Sequence, residues 1–174
     1  MMAAMSAFQG RLEQLATKVY LLWAGLAIGV AFLATPAKFL APSLSLTVAL
    51  DVGRHTFRVY NGVELALVIS LLILGAGSQR RRRWYLSLLG PAVIVVAQAL
   101  WLIPALDLRV SVIQAGQSPP PSSLHTVYIA AEALKVLWLL VIGLGGILSG
   151  SPPRAAGLGR RIESPGPVPA HGKA

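Results

Sequence analysis

The segment that decides the fold is 127–148, VYIAAEALKVLWLLVIGLGGIL, in which Glu132 and Lys135 interrupt an otherwise apolar run. A helix needs roughly 20 apolar residues to cross the hydrocarbon core of a bilayer, so this segment is long enough to span a membrane. Three further apolar segments, 19–40, 59–76 and 84–106, precede it in the chain. The four segments together predict a polytopic membrane protein.

Composition favours the same class. Of the 174 residues, 55% are hydrophobic and only 12% are charged, whereas an average globular domain has about 25% charged residues. This composition excludes a soluble enzyme. The predicted fold is an all-α bundle of four transmembrane helices within a membrane domain at 19–148.

The distribution of basic residues predicts the orientation of the bundle. Ten Lys and Arg residues lie on the side of the chain ends and four on the opposite side, with Lys135 inside a span. The larger group comprises Arg11, Lys18, Arg80, Arg81, Arg82, Arg83, Arg154, Arg160, Arg161 and Lys173. Because loops rich in Lys and Arg stay in the cytoplasm, both termini are predicted to be cytoplasmic. The bias toward Ala, Gly, Pro and Arg favours a bacterial plasma membrane.

The regions flanking the membrane domain carry their own patterns. Residues 1–18 predict a cytoplasmic amphipathic lead-in helix that begins at a capping box, Ser6 with Gln9, and runs into the first span. Pro36 and Pro42 predict the end or a kink of the first helix. Residues 149–174 are rich in Pro and Gly and predict a disordered cytoplasmic tail.

Small residues and side-chain spacing predict further local features. Gly25 and Gly29 predict that a neighbouring helix approaches the first span closely. Gly143 and Gly146 predict a looser contact on the fourth span. Asp51, three residues before Arg54, predicts that the connection before the second span is partly helical and continuous with that span.

Charged residues at membrane depth predict an internal site. At about 1.5 Å of rise per residue, Glu64 and Glu132 lie at similar depth, roughly 9 to 10 Å inside the membrane. Lys135 shares a helix face with Glu132, and Asn61 shares one with Glu64. Since a charge at this depth is costly unless it is paired, we expect Lys135 beside a carboxylate. Glu64, Glu132, Lys135 and Asn61 form the predicted binding cluster, while Gln98 predicts an interhelical hydrogen bond.

Charges outside the spans predict contacts with lipid and water. Arg54, Arg58, Asp107 and Arg109 form an outer polar group near the headgroups. The run 80–83, four arginines between the second and third spans, predicts contact with anionic lipid. Nucleic acid is excluded as a partner, because basic residues in such a chain set topology. A homo-oligomer or a membrane-protein partner stays open.

Two histidines allow a metal hypothesis. His55 and His125 stand at the outer ends of the second and fourth spans, and imidazole is a ligand for haem iron and for copper. The chain has no cysteine, which excludes disulfides and thiolate metal sites. No phosphate-binding glycine loop, HExxH motif or nucleophile elbow is present, so the sequence predicts neither an enzyme nor a required cofactor.

Several short motifs resemble a known family. They are Trp23-Ala-Gly-Leu, Ala34-Thr-Pro-Ala-Lys-Phe39, Gly53-Arg-His-Thr-Phe57-Arg-Val-Tyr60, Leu108-Arg109 and Ser123-Leu-His125. In this pattern, over about Val19 to Leu148, the chain resembles the uncharacterised four-helix family that includes transmembrane protein 205. The resemblance implies a four-helix membrane domain of unknown function. The chain is more distantly similar to copper-resistance and haem-binding four-helix membrane domains, which implies ligand roles for His55 and His125.

Three functions follow from these patterns. The leading one is a membrane protein whose internal polar site handles protons, cations or a small polar solute. The first alternative is a haem- or copper-binding membrane protein that uses His55 and His125. The second is a membrane scaffold or assembly factor whose buried charges only stabilise the fold.

Overall fold

Four long helices make up the computed structural model, which describes residues 2–149. Helix α1 covers residues 2–40: it is α-helical over Met2–Ala27, π-helical over Ile28–Ala34, and ends in short turns at Thr35–Ala37 and Lys38–Leu40. Helix α2 is Leu46–Ala76, α3 is Arg81–Gln114 and α4 is Leu124–Ser149. The described residues contain no strand. The predicted tail lies outside them, apart from Ser149, which ends α4.

All four helices are long and apolar enough to cross a membrane, which confirms the predicted multi-pass class. The burial pattern differs from that of a soluble protein, because apolar side chains cover the outside of the bundle as well as fill its core. Large apolar side chains such as Leu72, Ile73, Leu89 and Val141 are exposed on the outside of the bundle. The buried polar side chains within it are Asn61, Glu64, Ser78, Gln98, Glu132 and Lys135. Apolar surface facing outward is stable only where lipid replaces water.

Each helix packs beside its neighbour in sequence, and α4 closes the bundle against α1. The connections are short, at residues 41–45, 77–80 and 115–123, so successive helices run antiparallel. Every helix therefore presents one face to a common interior.

The connection between α1 and α2 follows local chemistry. Helix α1 ends at Leu40, two residues before Pro42, which cannot continue a helix. Ser45 caps α2, and its side chain accepts a hydrogen bond from the Val48 amide at 3.4 Å. Because α2 begins at Leu46, Asp51 and Arg54 lie on a helix continuous with the second span, as predicted.

The predicted start of the lead-in helix is wrong. Helix α1 begins at Met2, so Ser6 is inside a helix rather than at its cap, and the lead-in and the first span are one helix. The Gln9 side chain binds the α2–α3 connection instead: Nε2 donates to the Gly77 carbonyl and Oε1 accepts from the Gln79 amide, each at 3.0 Å. A tertiary contact has taken the group that local capping would use.

Each π-helical segment ends two residues before a proline. Residues Ile28–Ala34 come before Pro36, and Gln98–Leu102 come before Pro104. Proline removes one amide donor and its ring crowds the preceding turn, and a wider π turn relieves that crowding. Gln98 is the first residue of the second π segment and is buried. The irregular turn thus directs Gln98 and Leu102 into the interior of the bundle, whereas Leu100 and Trp101 are exposed.

The close helix contact lies on α4 and not where we predicted it on α1. No atom lies within 4 Å of the position that a Cβ would occupy on Gly25 or Gly29. On Gly143, a Cβ would lie 2.6 Å from the Leu21 side chain, and on Gly146 it would overlap Thr17. The prediction of a close approach at Gly25 and Gly29 is therefore wrong, because those glycines face away from the neighbouring helices.

Candidate functional site

Five buried side chains from all four helices meet in the interior, and we call them the polar cluster. Trp23 comes from α1, Glu64 from α2, Gln98 from α3, and Glu132 with Lys135 from α4. None of them is more than 1% exposed. The expected approach of Lys135 to the carboxylates is present, and it extends to both.

Lys135 lies at the centre of the polar cluster. Its Nζ is 2.5 Å from Glu64 Oε1, 2.8 Å from Glu132 Oε1 and 3.0 Å from Gln98 Oε1. An ammonium group has three donors, and Nζ donates to Glu132 and Gln98 while it forms an ion pair with Glu64. The Tyr60 ring lies on a further side, with its centroid 5.6 Å from Nζ. Nζ is thus surrounded by three oxygens and one aromatic ring.

Each carboxylate is satisfied through one oxygen only. Glu64 Oε1 also accepts from Trp23 Nε1 at 2.8 Å, and Glu132 Oε1 accepts from Gln98 Nε2 at 2.9 Å. Oε2 of Glu64, Oε2 of Glu132 and the Tyr60 hydroxyl are buried without a hydrogen-bond partner among the described residues. Buried polar atoms nearly always have partners, so these three atoms mark the unsaturated part of the polar cluster.

The charges in the polar cluster do not balance. Two carboxylates face one ammonium group, which leaves one formal negative charge when both carboxyl groups are ionised. An uncompensated charge in an apolar interior costs several kcal/mol. The arrangement can lower that cost by taking up one proton or one small cation at the unpartnered oxygens.

Apolar side chains enclose the polar cluster along the bundle axis. On the side of the 77–80 connection lies a core that includes Trp23, Leu71, Leu88 and Leu139, each no more than 1% exposed. On the other side the cover consists of two smaller groups, one that includes Ala27 and Tyr60 and one formed by Leu102, Ile103 and Tyr128. The two ends of the bundle therefore separate the charges from water to different degrees.

A cavity of about 430 Å³ opens on the side of the two smaller groups, and we call it the vestibule. Its lining residues are Arg54, Arg58, Asn61, Ala99, Ile103, Pro104, Asp107, Leu108 and Ser111. Arg58 forms an ion pair with Asp107 across it, linking α2 to α3. Arg54 Nε lies 2.7 Å from Asp51 Oδ1. Of the predicted outer polar group, Arg109 contacts the Pro120 carbonyl at 2.7 Å and does not line this cavity.

Asn61 lies between the vestibule and the polar cluster. It lines the vestibule, and its Nδ2 donates to the Val95 carbonyl at 3.3 Å rather than to a charged side chain. It is one helical turn from Arg58 on one side and from Glu64 on the other. We predicted Asn61 inside the binding cluster, but the structure places it at the edge.

Both candidate metal ligands are exposed. His55 has 61% of its side chain accessible, and its Nδ1 lies 2.9 Å from the Asp51 carbonyl oxygen. His125 is exposed near the start of α4. Residues 2–149 contain no group of three or more His, Asp or Glu side chains arranged to hold a metal ion.

Sequence reasoning missed one member of the polar cluster and understated another. Trp23 carries no charge and looks like any interfacial or core aromatic residue, so nothing in the sequence predicts its bond to Glu64. Gln98 was predicted as an interhelical hydrogen bond, which is confirmed, but it bridges Glu132 and Lys135. A lone amide within an apolar span is the signal that points to it.

The chain matches no family model, no curated protein and no solved structure.

Proposed function

We propose that this protein binds one exchangeable proton within the membrane, at the unpartnered oxygens of Glu64 and Glu132. The single observation that supports this is the imbalance of the polar cluster, which has two fully buried carboxylates and one fully buried lysine. A proton on either carboxyl group makes the cluster neutral. A monovalent cation at the same oxygens is the competing occupant.

The hydrogen bonds define where the proton goes. Lys135 Nζ lies within 3.0 Å of three oxygens, and Oε1 of each glutamate lies close to two donors. Among residues 2–149, the two Oε2 atoms have no hydrogen-bond donor. Protonation at Oε2 therefore leaves the existing network intact, whereas loss of the lysine proton would break it.

The vestibule is the proposed route to the site. It ends at Asn61, one helical turn from Glu64, on the side of the polar cluster that the two smaller apolar groups cover. The larger apolar core blocks the opposite direction. In this conformation the proton exchanges with one side of the membrane, and by the distribution of basic residues that side is the outside, with both termini in the cytoplasm of a bacterial cell.

The proposed assignment to the four-helix family that includes transmembrane protein 205 rests on the quoted motifs. Of the residues in these motifs, Trp23 is a member of the polar cluster and the Tyr60 ring lies 5.6 Å from Lys135 Nζ. This shared location supports the family proposal, because it gives two of the motifs a common structural role.

Infrared spectroscopy of the purified full chain, in mild detergent, tests the proposal directly. We expect the carbonyl band of one protonated, buried carboxyl group near neutral pH, lost or shifted in Glu64→Gln or Glu132→Gln. Glu13→Gln, which removes an exposed carboxylate on α1, is the matched control and should leave the band unchanged.

Two results would count against the proposal. If both carboxyl groups stay ionised over the whole accessible pH range, the polar cluster is a fixed ion network and the scaffold function gains support. If the band appears only after sodium or potassium is replaced by choline, the natural occupant is a metal cation and not a proton.

A further inference from the structure

The second site is a basic cavity at the opposite end of the bundle from the vestibule, and we call it the arginine pocket. Its volume is about 640 Å³. Its lining residues are Ser78, Gln79, Arg80, Arg81, Arg82, Arg83 and Leu86, from the α2–α3 connection and the first turns of α3. The proposed proton site does not use any of them.

Hydrogen bonds from α1 hold the α2–α3 connection, which forms the pocket, in place. Gln9 of α1 binds both the Gly77 carbonyl and the Gln79 amide at 3.0 Å. Within the connection, the Arg80 amide donates to Ser78 Oγ at 3.1 Å, and Ser78 is buried. These contacts fix the backbone before any ligand binds, so the arginines start from a defined loop.

No carboxylate among residues 2–149 forms an ion pair with the arginines of the pocket. In the part of the chain that the structure describes, every ion pair involves other cations, and none includes Arg80, Arg81, Arg82 or Arg83. Helix α3 starts here without a side-chain cap, so its first amides and the positive end of its dipole add to the four guanidinium groups. The chemistry complementary to this pocket is a phosphate group.

The surroundings of the pocket indicate the source of that phosphate. Leu86 and Leu89 are 56% and 57% exposed, and they continue from the pocket along the apolar outer face of α3. A free phosphate would contact only the guanidinium groups and amides, whereas a phospholipid would place its headgroup in the pocket and its acyl chains along this face. We infer that the arginine pocket binds the headgroup of an anionic phospholipid.

The test measures binding of phosphatidylglycerol to the full chain in phosphatidylcholine nanodiscs or mixed micelles, by native mass spectrometry or by fluorescence. We expect wild type to prefer phosphatidylglycerol over phosphatidylcholine. The double variant R81Q/R82Q should bind it about 25-fold more weakly, from roughly fivefold for each arginine lost near the membrane surface.

Two variants separate a defined pocket from diffuse attraction. R11Q/K18Q removes the same charge from exposed positions of α1 and should weaken binding much less. Gln9→Ala leaves the charge unchanged but releases the connection, and it should weaken binding measurably.

Three outcomes would overturn the inference. Equal affinity of wild type for the two lipids would show that the pocket does not select anionic headgroups. Equal losses in R81Q/R82Q and R11Q/K18Q would show that only net charge matters. Inorganic phosphate that competes at the same concentration as the lipid would identify a free anion as the ligand.

Discussion

The bundle has two kinds of interior, and comparing them shows what each contributes. Toward the 77–80 connection the core is apolar, and helix contacts there depend on shape, as with Leu71, Leu88 and Leu139. In the polar cluster, one lysine and two carboxylates join helices through bonds of fixed number and direction. Apolar contacts tolerate small shifts between helices, but the polar cluster permits only one arrangement of its donors and acceptors.

Such a division fits a protein in lipid. Apolar side chains gain little by leaving lipid for another apolar surface, so helix association relies on close contact and on polar bonds. The apolar core supplies the first and the polar cluster the second. Trp23 belongs to both, because its ring packs in the apolar core and its Nε1 donates to Glu64.

The largest expected effect comes from removing the central cation. Lys135→Met should destabilise the protein by about 3–5 kcal/mol at neutral pH, because it removes the counter-charge of the buried Glu64 and Glu132 carboxyl groups. Thermal unfolding in detergent measures this loss. The Lys135→Met variant should regain stability as pH falls, since protonated carboxyl groups need no counter-charge. A triple variant that combines Lys135→Met with Glu64→Gln and Glu132→Gln should regain stability at neutral pH. If Lys135→Met is as stable as wild type, the bonds of the polar cluster do not hold the helices together more strongly than the apolar core does.

Replacing the shared tryptophan separates ring from donor. Trp23→Phe keeps most of the aromatic contact but removes the bond to Glu64, and it should cost about 1.5–3 kcal/mol because the acceptor is a carboxylate. Trp84→Phe is the matched change in the apolar core, where Nε1 donates to the Leu71 carbonyl at 2.9 Å. It should cost about 1 kcal/mol. Chemical or thermal unfolding measures both losses. If the two variants lose equal free energy of unfolding, the charge on Glu64 does not strengthen its hydrogen bond with Trp23.

A bulky residue at the α1–α4 contact tests shape in the apolar half. Gly143→Leu would place side-chain atoms against Leu21, and we expect a loss of about 1–3 kcal/mol. Gly145→Leu is the control, because no atom lies within 4 Å of a Cβ there. The difference between their melting temperatures is the measurement. If both variants melt alike, α1 and α4 are not in close contact at this position.

The smallest effect is expected at the vestibule. Asp107→Asn breaks the ion pair with Arg58, whose side chain is 64% exposed, so the loss of stability should stay below about 1 kcal/mol and shrink with added salt. Unfolding at low and high ionic strength checks this. A loss as large as that of Lys135→Met would show that the vestibule is part of the core.

Particular residues show what the sequence determined by itself. The four apolar segments predict four spanning helices because a bilayer demands length and composition, and neither depends on tertiary contacts. Glu64, Glu132 and Lys135 predict a shared interior site because a charge at membrane depth must find a partner. The end of α1 near Pro42 and the helical start of α2 follow from backbone chemistry that acts within a few residues.

Only the tertiary structure decided which side chains become partners. The choice of Trp23 for Glu64, of Gln98 as a bridge, and of Gly143 and Gly146 over Gly25 and Gly29 depends on how far each helix rotates about its own axis. That rotation is set by the sum of contacts with two neighbours, which no single segment encodes. Ser6 and Gln9 show the same rule, because a capping pattern that is plausible locally was overridden when Gln9 bonded to the α2–α3 connection.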